Sequence, residues 1–257
     1  MLRSPLTLVV ATLLATAAPC ARAGFSLTPQ TLIDATNEAV GDIGALAGLG
    51  ADLHMYESVY PYGTTKGVDV GASLTAIAMP GSATNALTKL GISNIPHYLP
   101  IPKVNIQKAF GAKIVVGSEF IPSIKIQGNT VYMYGFDAQW TAIDRYGMPP
   151  IAFRAQFNYS NLVVVSAATY GGDVVTGWKL PIFDVFGGAG YRFVNAKVSN
   201  PTSTIPTVPG VNLDATLDSG HFFAGTTVVA GFARLTAEAD LTTRGVNTYG
   251  TKLSFFF

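Results

Sequence analysis

From residue 67 onward the chain alternates apolar and polar positions. In residues 67–79, Val68, Val70, Ala72 and Leu74 are apolar, and Asp69 and Ser73 fall between them. In residues 113–121, Ile114, Val116 and Phe120 share one parity, and Lys113 and Glu119 share the other. Tyr132, Tyr134, Phe136, Ala138 and Trp140 stand against Asp137, Gln139 and Thr141. Ile151, Phe153, Ala155, Phe157 and Tyr159 stand against Arg154, Gln156, Asn158 and Ser160. The second half repeats the pattern. Tyr170, Val174, Trp178 and Leu180 oppose Asp173 and Lys179, and Phe183, Val185, Ala189, Tyr191 and Phe193 oppose Asp184 and Arg192. Leu235, Ala237, Ala239 and Leu241 oppose Arg234, Glu238 and Asp240, and Tyr249, Leu253, Phe255 and Phe257 oppose Lys252 and Ser254. Successive strand residues point to opposite faces, so each stretch is a strand with one apolar and one polar side.

Only the start of the chain departs from this period. Residues 6–18 form a short apolar run after Arg3, and Ala21-Arg22-Ala23 follows as a small-residue cleavage site. That is the pattern of a secretory signal peptide over residues 1–23, with the mature chain beginning at Gly24. From Thr28 to about Ala47 the spacing of Leu32, Ile33, Val40 and Ile43 predicts a helix, with Thr28 as cap and Pro29 in the first turn. Residues 24–48 therefore read as a helical segment, a plug or a periplasmic cap, and residues 49–257 as the strand domain. Ten strands are clear from Gly67 onward, and residues 50–60 form a weaker eleventh. Single-chain barrels have even strand numbers, so the count is 12 or 10.

Composition decides what kind of strand protein this is. Of 257 residues, 49% are hydrophobic and only 12% charged, about half the charged share of a soluble domain. Mean hydropathy is +0.35, yet beyond the N-terminal run no apolar stretch approaches the ~18 residues of a membrane helix. The polar faces carry one or two charges each, filled out by Gly, Ser, Thr, Asn and Gln. A solvated sheet face would carry more Lys and Glu, whereas the lumen of a closed membrane barrel suits this mixture. The expected fold is all-β: a transmembrane, antiparallel, up-and-down β-barrel with a short N-terminal helix. Its lumen-facing candidates are Asp69, Lys113, Glu119, Asp137, Arg154, Asp173, Lys179, Asp184, Arg192, Arg234, Glu238, Asp240 and Lys252. Short connections near Phe110, at 143–149, at 179–182 and near Gly231 alternate with long ones at 80–102 and 197–218, which sets the short ones in the periplasm.

Two resemblances sharpen this reading. The end of the chain, Gly250-Thr251-Lys252-Leu253-Ser254-Phe255-Phe256-Phe257, resembles the terminal assembly signal of outer-membrane proteins, with Gly250, Leu253, Phe255 and Phe257 at the matching positions. Leu49 through Tyr62, then Gly67-Val68-Asp69-Val70-Gly71, Pro102-Lys103 and Lys108, resemble a family of uncharacterised outer-membrane barrel proteins. The resemblances imply a location in the cell outer membrane, a barrel with an N-terminal helical segment, and two partners: outer-membrane lipid and the barrel-assembly machinery. They supply no activity, catalytic residue or cofactor.

Little else in the sequence carries chemistry. Loss of residues 1–23 would remove Cys20, the only cysteine, and leave 14 of the 16 basic residues against 15 acidic ones. That balance gives no electrostatic case for nucleic acid. His54, His97 and His221 lie too far apart for a metal-ligand spacing. His221 follows Ser219 by two residues on the lumen parity, and Asp52 shares a face with His54; neither is a known hydrolase spacing. The lumen charges leave three readings: a narrow pore or transporter for small or amphipathic solutes, a structural or surface-interaction barrel with an occluded lumen, and, least favoured, a lipid-modifying enzyme.

Overall fold

The structure, a computed structural model, describes residues 41–50, 52, 59, 67–82, 84–85, 96–111, 113–126, 129–162, 165–180, 182–198 and 214–257. The signal peptide and residues 28–40 of the helix expected from Thr28 to about Ala47 lie outside these residues, as does His54. Ten antiparallel strands run β1 Val68–Ala78, β2 Tyr98–Phe110, β3 Ile114–Ile126, β4 Asn129–Ile143, β5 Ile151–Asn161, β6 Val165–Lys179, β7 Phe183–Val198, β8 Asp214–Ala230, β9 Ala233–Thr242 and β10 Thr248–Phe256. Each pairs with its sequence neighbours, and β1 pairs with β10 from Asp69↔Phe256 to Ile77↔Thr248, which closes the sheet. The closed barrel with a short helical segment ahead of it is the architecture the resemblance implies.

The alternation is realised as outside and inside. On β5, Phe153 and Phe157 are 49% and 39% exposed on the outer surface, while Arg154 and Gln156 between them are 5% and 6% exposed in the lumen. The outer surface is aromatic near both rims. Tyr132, Tyr134 and Tyr159 stack on one another toward one rim, and Trp140 lies against Phe153 toward the other. An apolar band between aromatic rims is the surface of a barrel that spans a membrane, and closure leaves no strand edge unpaired in lipid.

The two rims differ. Turns at 111–113, 144–150, 180–182 and 231–232 share one end with Phe257; this is the turn end. The β1–β2 and β7–β8 connections, at 79–97 and 199–213, lie at the other, the loop end. That end also carries three short connections, at 127–128, 162–164 and 243–247, so the expected contrast of short against long rests on two loops. Gly111, Gly147 and Gly231 take positive φ in three of the turn-end connections, a backbone region that only glycine enters without steric cost.

One open count is resolved and two expectations are corrected. The chain closes with ten strands, the smaller of the two counts expected, and the described residues of the weak eleventh segment, Gly50, Asp52 and Val59, are buried outside any strand. The described part of the helical segment is 41–50, its last turn Leu46–Gly50 wound as a π-helix, and the barrel wall begins only at Val68 rather than near residue 49. Lys113 does not face the lumen: it is exposed in the β2–β3 turn, where the strand period no longer applies, and Lys179 is exposed at the turn end of β6.

The core therefore lies inside the barrel, in layers. At the loop end Ala45, Ala47 and Leu49 pack on Ile77, Val165, Ala167, Val194, Ala196, Leu217 and Val246. At the turn end Val59 packs with Ala152, Val175, Phe186 and Phe223. A Cβ on Gly48 would overlap Val194, so glycine lets the helical turn lie flush against β7. Ten strands enclose a space that side chains and one segment of chain can fill.

Candidate functional site

Between the two apolar layers the lumen is ionic. Arg192, on the lumen face of β7, sends Nε to Asp52 Oδ2 at 2.6 Å and Nη1 to Asp173 Oδ1 at 2.5 Å. Its Nη2 reaches Asp173 Oδ2 at 3.2 Å. The second oxygen of Asp173 also has Arg154 Nη1 at 3.9 Å, and Arg154 donates to Gln139 Oε1 at 3.0 and 3.3 Å. The guanidinium of Arg154 lies 5.5 Å from the ring centre of Phe223, over its face. Strand register explains the meeting: Arg154 pairs with Gln139 on one side and Asp173 on the other.

His221 completes this cluster from β8. Its Nε2 is 3.0 Å from Asp173 Oδ1 and its Nδ1 is 2.9 Å from Asp240 Oδ2. Carboxylates only accept, so bonding both requires a proton on each ring nitrogen. The imidazolium, Arg154 and Arg192 then balance Asp52, Asp173 and Asp240. The group sits within walls where charge is tolerable only when paired. Glycines make room for it: a Cβ on Gly190 would stand 2.7 Å from His221 Nε2, and one on Gly171 would stand 2.8 Å from Arg192 Cδ.

A second cluster fastens the plug to the wall on the other side. Lys103 Nζ donates to the backbone carbonyl of Asp52 at 2.7 Å and to Glu119 Oε2 at 3.4 Å, and Ser73 Oγ donates to Glu119 Oε1 at 2.7 Å. Gln156 Nε2 donates to Asp52 Oδ2 at 2.9 Å. Asp52 is thus held from β2, β5 and β7 at once. The neighbouring carbonyls are held too: Ala47 accepts from Ser160 Oγ at 3.1 Å, Gly48 from Thr169 Oγ1 at 3.0 Å and Val59 from Thr141 Oγ1 at 3.1 Å. These hydroxyls take the place of water for backbone groups that have left solvent.

A third cluster crosses the closing seam. Lys252 on β10 donates to Gln107 Oε1 at 2.9 Å on β2 and lies 3.7 Å from Asp69 Oδ1 on β1, while Ser254 Oγ donates to Asp69 Oδ2 at 2.8 Å. Arg234, Glu238, Asp137 and Asp184 are also buried on the lumen face. Lys113 and Lys179, by contrast, are exposed. Gly250 faces the lumen on β10, and Leu253, Phe255 and Phe257 are exposed.

Asp52, Lys103, Asn105 and Gln107 are the lumen residues that sequence reasoning missed. Pro100 and Pro102 hide the alternation of β2, although Lys103, Asn105 and Gln107 do share one parity. Asp52 reads only as sharing a face with His54 in the weak eleventh segment, and it belongs to no strand. The pairing of Ser219 with His221 expected of a hydrolase is not formed: Ser219 Oγ turns to the Gly220 carbonyl at 3.0 Å and to Thr243 Oγ1 at 3.1 Å. Both nitrogens of His221 face carboxylates. Among the described residues no group of three or more His, Cys, Asp or Glu is placed to hold a metal ion.

No protein-family model matches the sequence, and no curated protein matches it. Solved structures similar to it in fold are bacterial barrels. The N-terminal β-barrel domain of Pseudomonas aeruginosa OprF is 11% identical, with 74% of this chain and 97% of that one covered and a TM-score of 0.36. The outer membrane protease OmpT from Escherichia coli is 8% identical, covering 79% and 100%, with a TM-score of 0.36. The translocator domain of autotransporter NalP from Neisseria meningitidis is 8% identical, covering 88% and 97%, with a TM-score of 0.39. At these scores the fold assignment rests on the strand pairing described above.

Proposed function

We propose that this protein is an outer-membrane barrel shut by its own N-terminal segment, a structural or surface-interaction barrel rather than an open pore. The observation that carries the reading is Asp52, which stands in mid-lumen bonded to Arg192, Gln156 and Lys103 from three separate strands. Among the described residues, the side chains around it are nearly all buried, which supports a closed lumen. The turn end, with Phe257, faces the periplasm, and the loop end with its two long connections faces outward. Passage of a solute would require the segment to leave, and with it every bond to Asp52. The outer membrane lipid and the barrel-assembly machinery are its expected partners.

Planar-bilayer recording tests this directly. Purified protein is expected to give no steady single-channel steps, and deletion of residues 41–59 is expected to produce them in barrels that still shift on gels after boiling. Stable conductance from the intact chain would overturn the closed-barrel reading. Recovery of the protein in the soluble periplasmic fraction would overturn the membrane assignment itself.

A further inference from the structure

At the loop end the barrel wall is uneven. β8 pairs with β7 from Asp214 to Val228, yet with β9 only from His221↔Thr242 onward. The stretch Asp214–Ser219, about 20 Å at the rise of a strand, is thus paired on the β7 side where β9 does not reach it. Its outward side chains show that it has left the lipid. Tyr191, Phe193 and Phe222 give way to Asn195, Lys197, Asp214, Thr216 and Asp218, all exposed. Backbone groups of a strand in an antiparallel sheet alternate between its two edges. The Gly220 carbonyl accepts from Thr243 N at 2.9 Å on the β9 side, so Thr216 and Asp218 turn N–H and C=O to that side as well. Arg244 covers part of it: Nε donates to the Asp218 carbonyl at 2.6 Å, and Nη2 lies 3.8 Å from Asp218 Oδ1. Among the described residues, the Asp218 N–H and both backbone groups of Thr216 have no partner there. The inner side of the stretch is fixed, since Leu217 and Ala215 pack with Ala45, Ala47 and Leu49 of the plug.

We infer that this edge of β8 docks an extended peptide segment of another protein, which adds as a strand in line with β9 and sets a basic side chain against Asp218. A row of alternate N–H and C=O groups is matched by another extended backbone, whose main chain gives affinity and whose alternate side chains give specificity. Arg244 indicates the charge. From a side chain it already supplies what the added strand would bring, a donor to the Asp218 carbonyl and a cation beside the carboxylate. The edge is held rigid by the plug behind it, so little freedom is lost on docking. A second copy in the same membrane does not fit. Its β8 also runs from loop end to turn end, and a two-fold axis along the membrane normal cannot set the two edges antiparallel. The inference deepens the surface-interaction reading above and rests on it: with the loop end outward, the edge stands at the cell surface.

The test uses the full chain folded in nonionic detergent, with a fluorescent peptide of alternating threonine and lysine as probe and one of alternating threonine and glutamate as control. Without peptide, amide exchange read by NMR is expected to be fast at Thr216 and Asp218 and slow at Leu217 and Ser219, whose N–H groups turn to β7. The lysine peptide is expected to bind and to slow exchange at 216 and 218. Thr216→Pro removes an edge donor without breaking a bond to β7, and should weaken binding about tenfold. If that variant lacks the heat-shifted gel band of a folded barrel, Arg244→Ala takes its place; it uncovers the Asp218 carbonyl and should tighten binding severalfold. Slow exchange at 216 and 218 in the protein alone overturns the inference. So does absent binding, equal binding of the glutamate peptide, or affinity unchanged in the folded variant. Orientation is read separately, with Cys20→Ser removing the only native thiol and Lys197→Cys exposed to a membrane-impermeant maleimide on intact cells. No label there fails the surface reading, while peptide binding in detergent still upholds the docking edge.

Discussion

The Asp52 carboxylate lies 2.6 Å from the Arg192 Nε, joining residues 140 apart in the chain across the middle of the barrel. One partner belongs to the plug and the other to the wall, so this bond measures how firmly the lumen is shut. Removing one member of a buried pair leaves the other uncompensated, at roughly 3–5 kcal/mol. Arg192 keeps Asp173, which places the expected loss for Asp52→Ala at the low end, about 3 kcal/mol. Urea unfolding in lipid vesicles, followed by tryptophan fluorescence, checks this. Adding Asp52→Ala to a chain already carrying Arg192→Ala should cost much less; equal costs in both backgrounds would show that the two side chains are not coupled.

The plug also depends on a missing side chain. A Cβ at residue 48 would overlap Val194, and overpacking of this kind costs about 1–3 kcal/mol. Gly48→Val is expected to lower the temperature at which the folded gel band is lost, and Val194→Ala is expected to restore much of that loss in the double variant. No rescue would place the helical turn elsewhere in the lumen.

Facing neighbours on β5 provide a contrast. Phe153 and Phe157 look outward, and Arg154 and Gln156 inward. A lysine on the lipid face near the membrane midplane costs about 2–4 kcal/mol. Phe157→Lys should therefore depress folding into vesicles more than Gln156→Lys, whose ammonium would arrive beside Asp52. In single-cysteine chains, a lipid-soluble maleimide should mark 153 and 157, and a water-soluble one should leave 154 and 156 unmarked because the lumen is filled. Rapid water-phase labelling at 156 would argue for an open channel.

At the seam, Phe257 and Val68 exchange two backbone hydrogen bonds, Phe257 N to Val68 O at 2.8 Å and Val68 N to Phe257 O at 3.0 Å. Deleting Phe257 removes both, together with the terminal aromatic of the assembly signal. Outer-membrane levels, read by quantitative immunoblot, are expected to fall severalfold. Lys252→Met removes the bridge to Asp69 and Gln107 without touching the backbone, and leaves Asp69 without that counter-charge. It should lower unfolding stability while leaving delivery to the membrane intact; unchanged stability would show that the bridge adds nothing.

The barrel wall was legible in the sequence because its signal is local. Each strand buries one parity against polar neighbours and turns the other to lipid, so Phe153 and Arg154 declare opposite faces with no knowledge of their partners. The same locality explains the failures. Lys113 sits one residue before β3 with the right parity, but a turn does not keep the strand period, and Lys179 fails at the end of β6 in the same way. Strand number required closure: whether residues 50–60 pair with β1 depends on β10 reaching it first. The site depended on tertiary structure most of all. Asp52 lies in the stretch that reads as a weak eleventh strand but belongs to no strand, and its partners Lys103, Gln156 and Arg192 come from strands that meet only across a closed barrel. Sequence alone determined the two opposed faces of each regularly alternating strand; only the folded chain decided that the space one of them encloses is occupied, because filling a lumen is a matter of volume and paired charge summed over all ten strands.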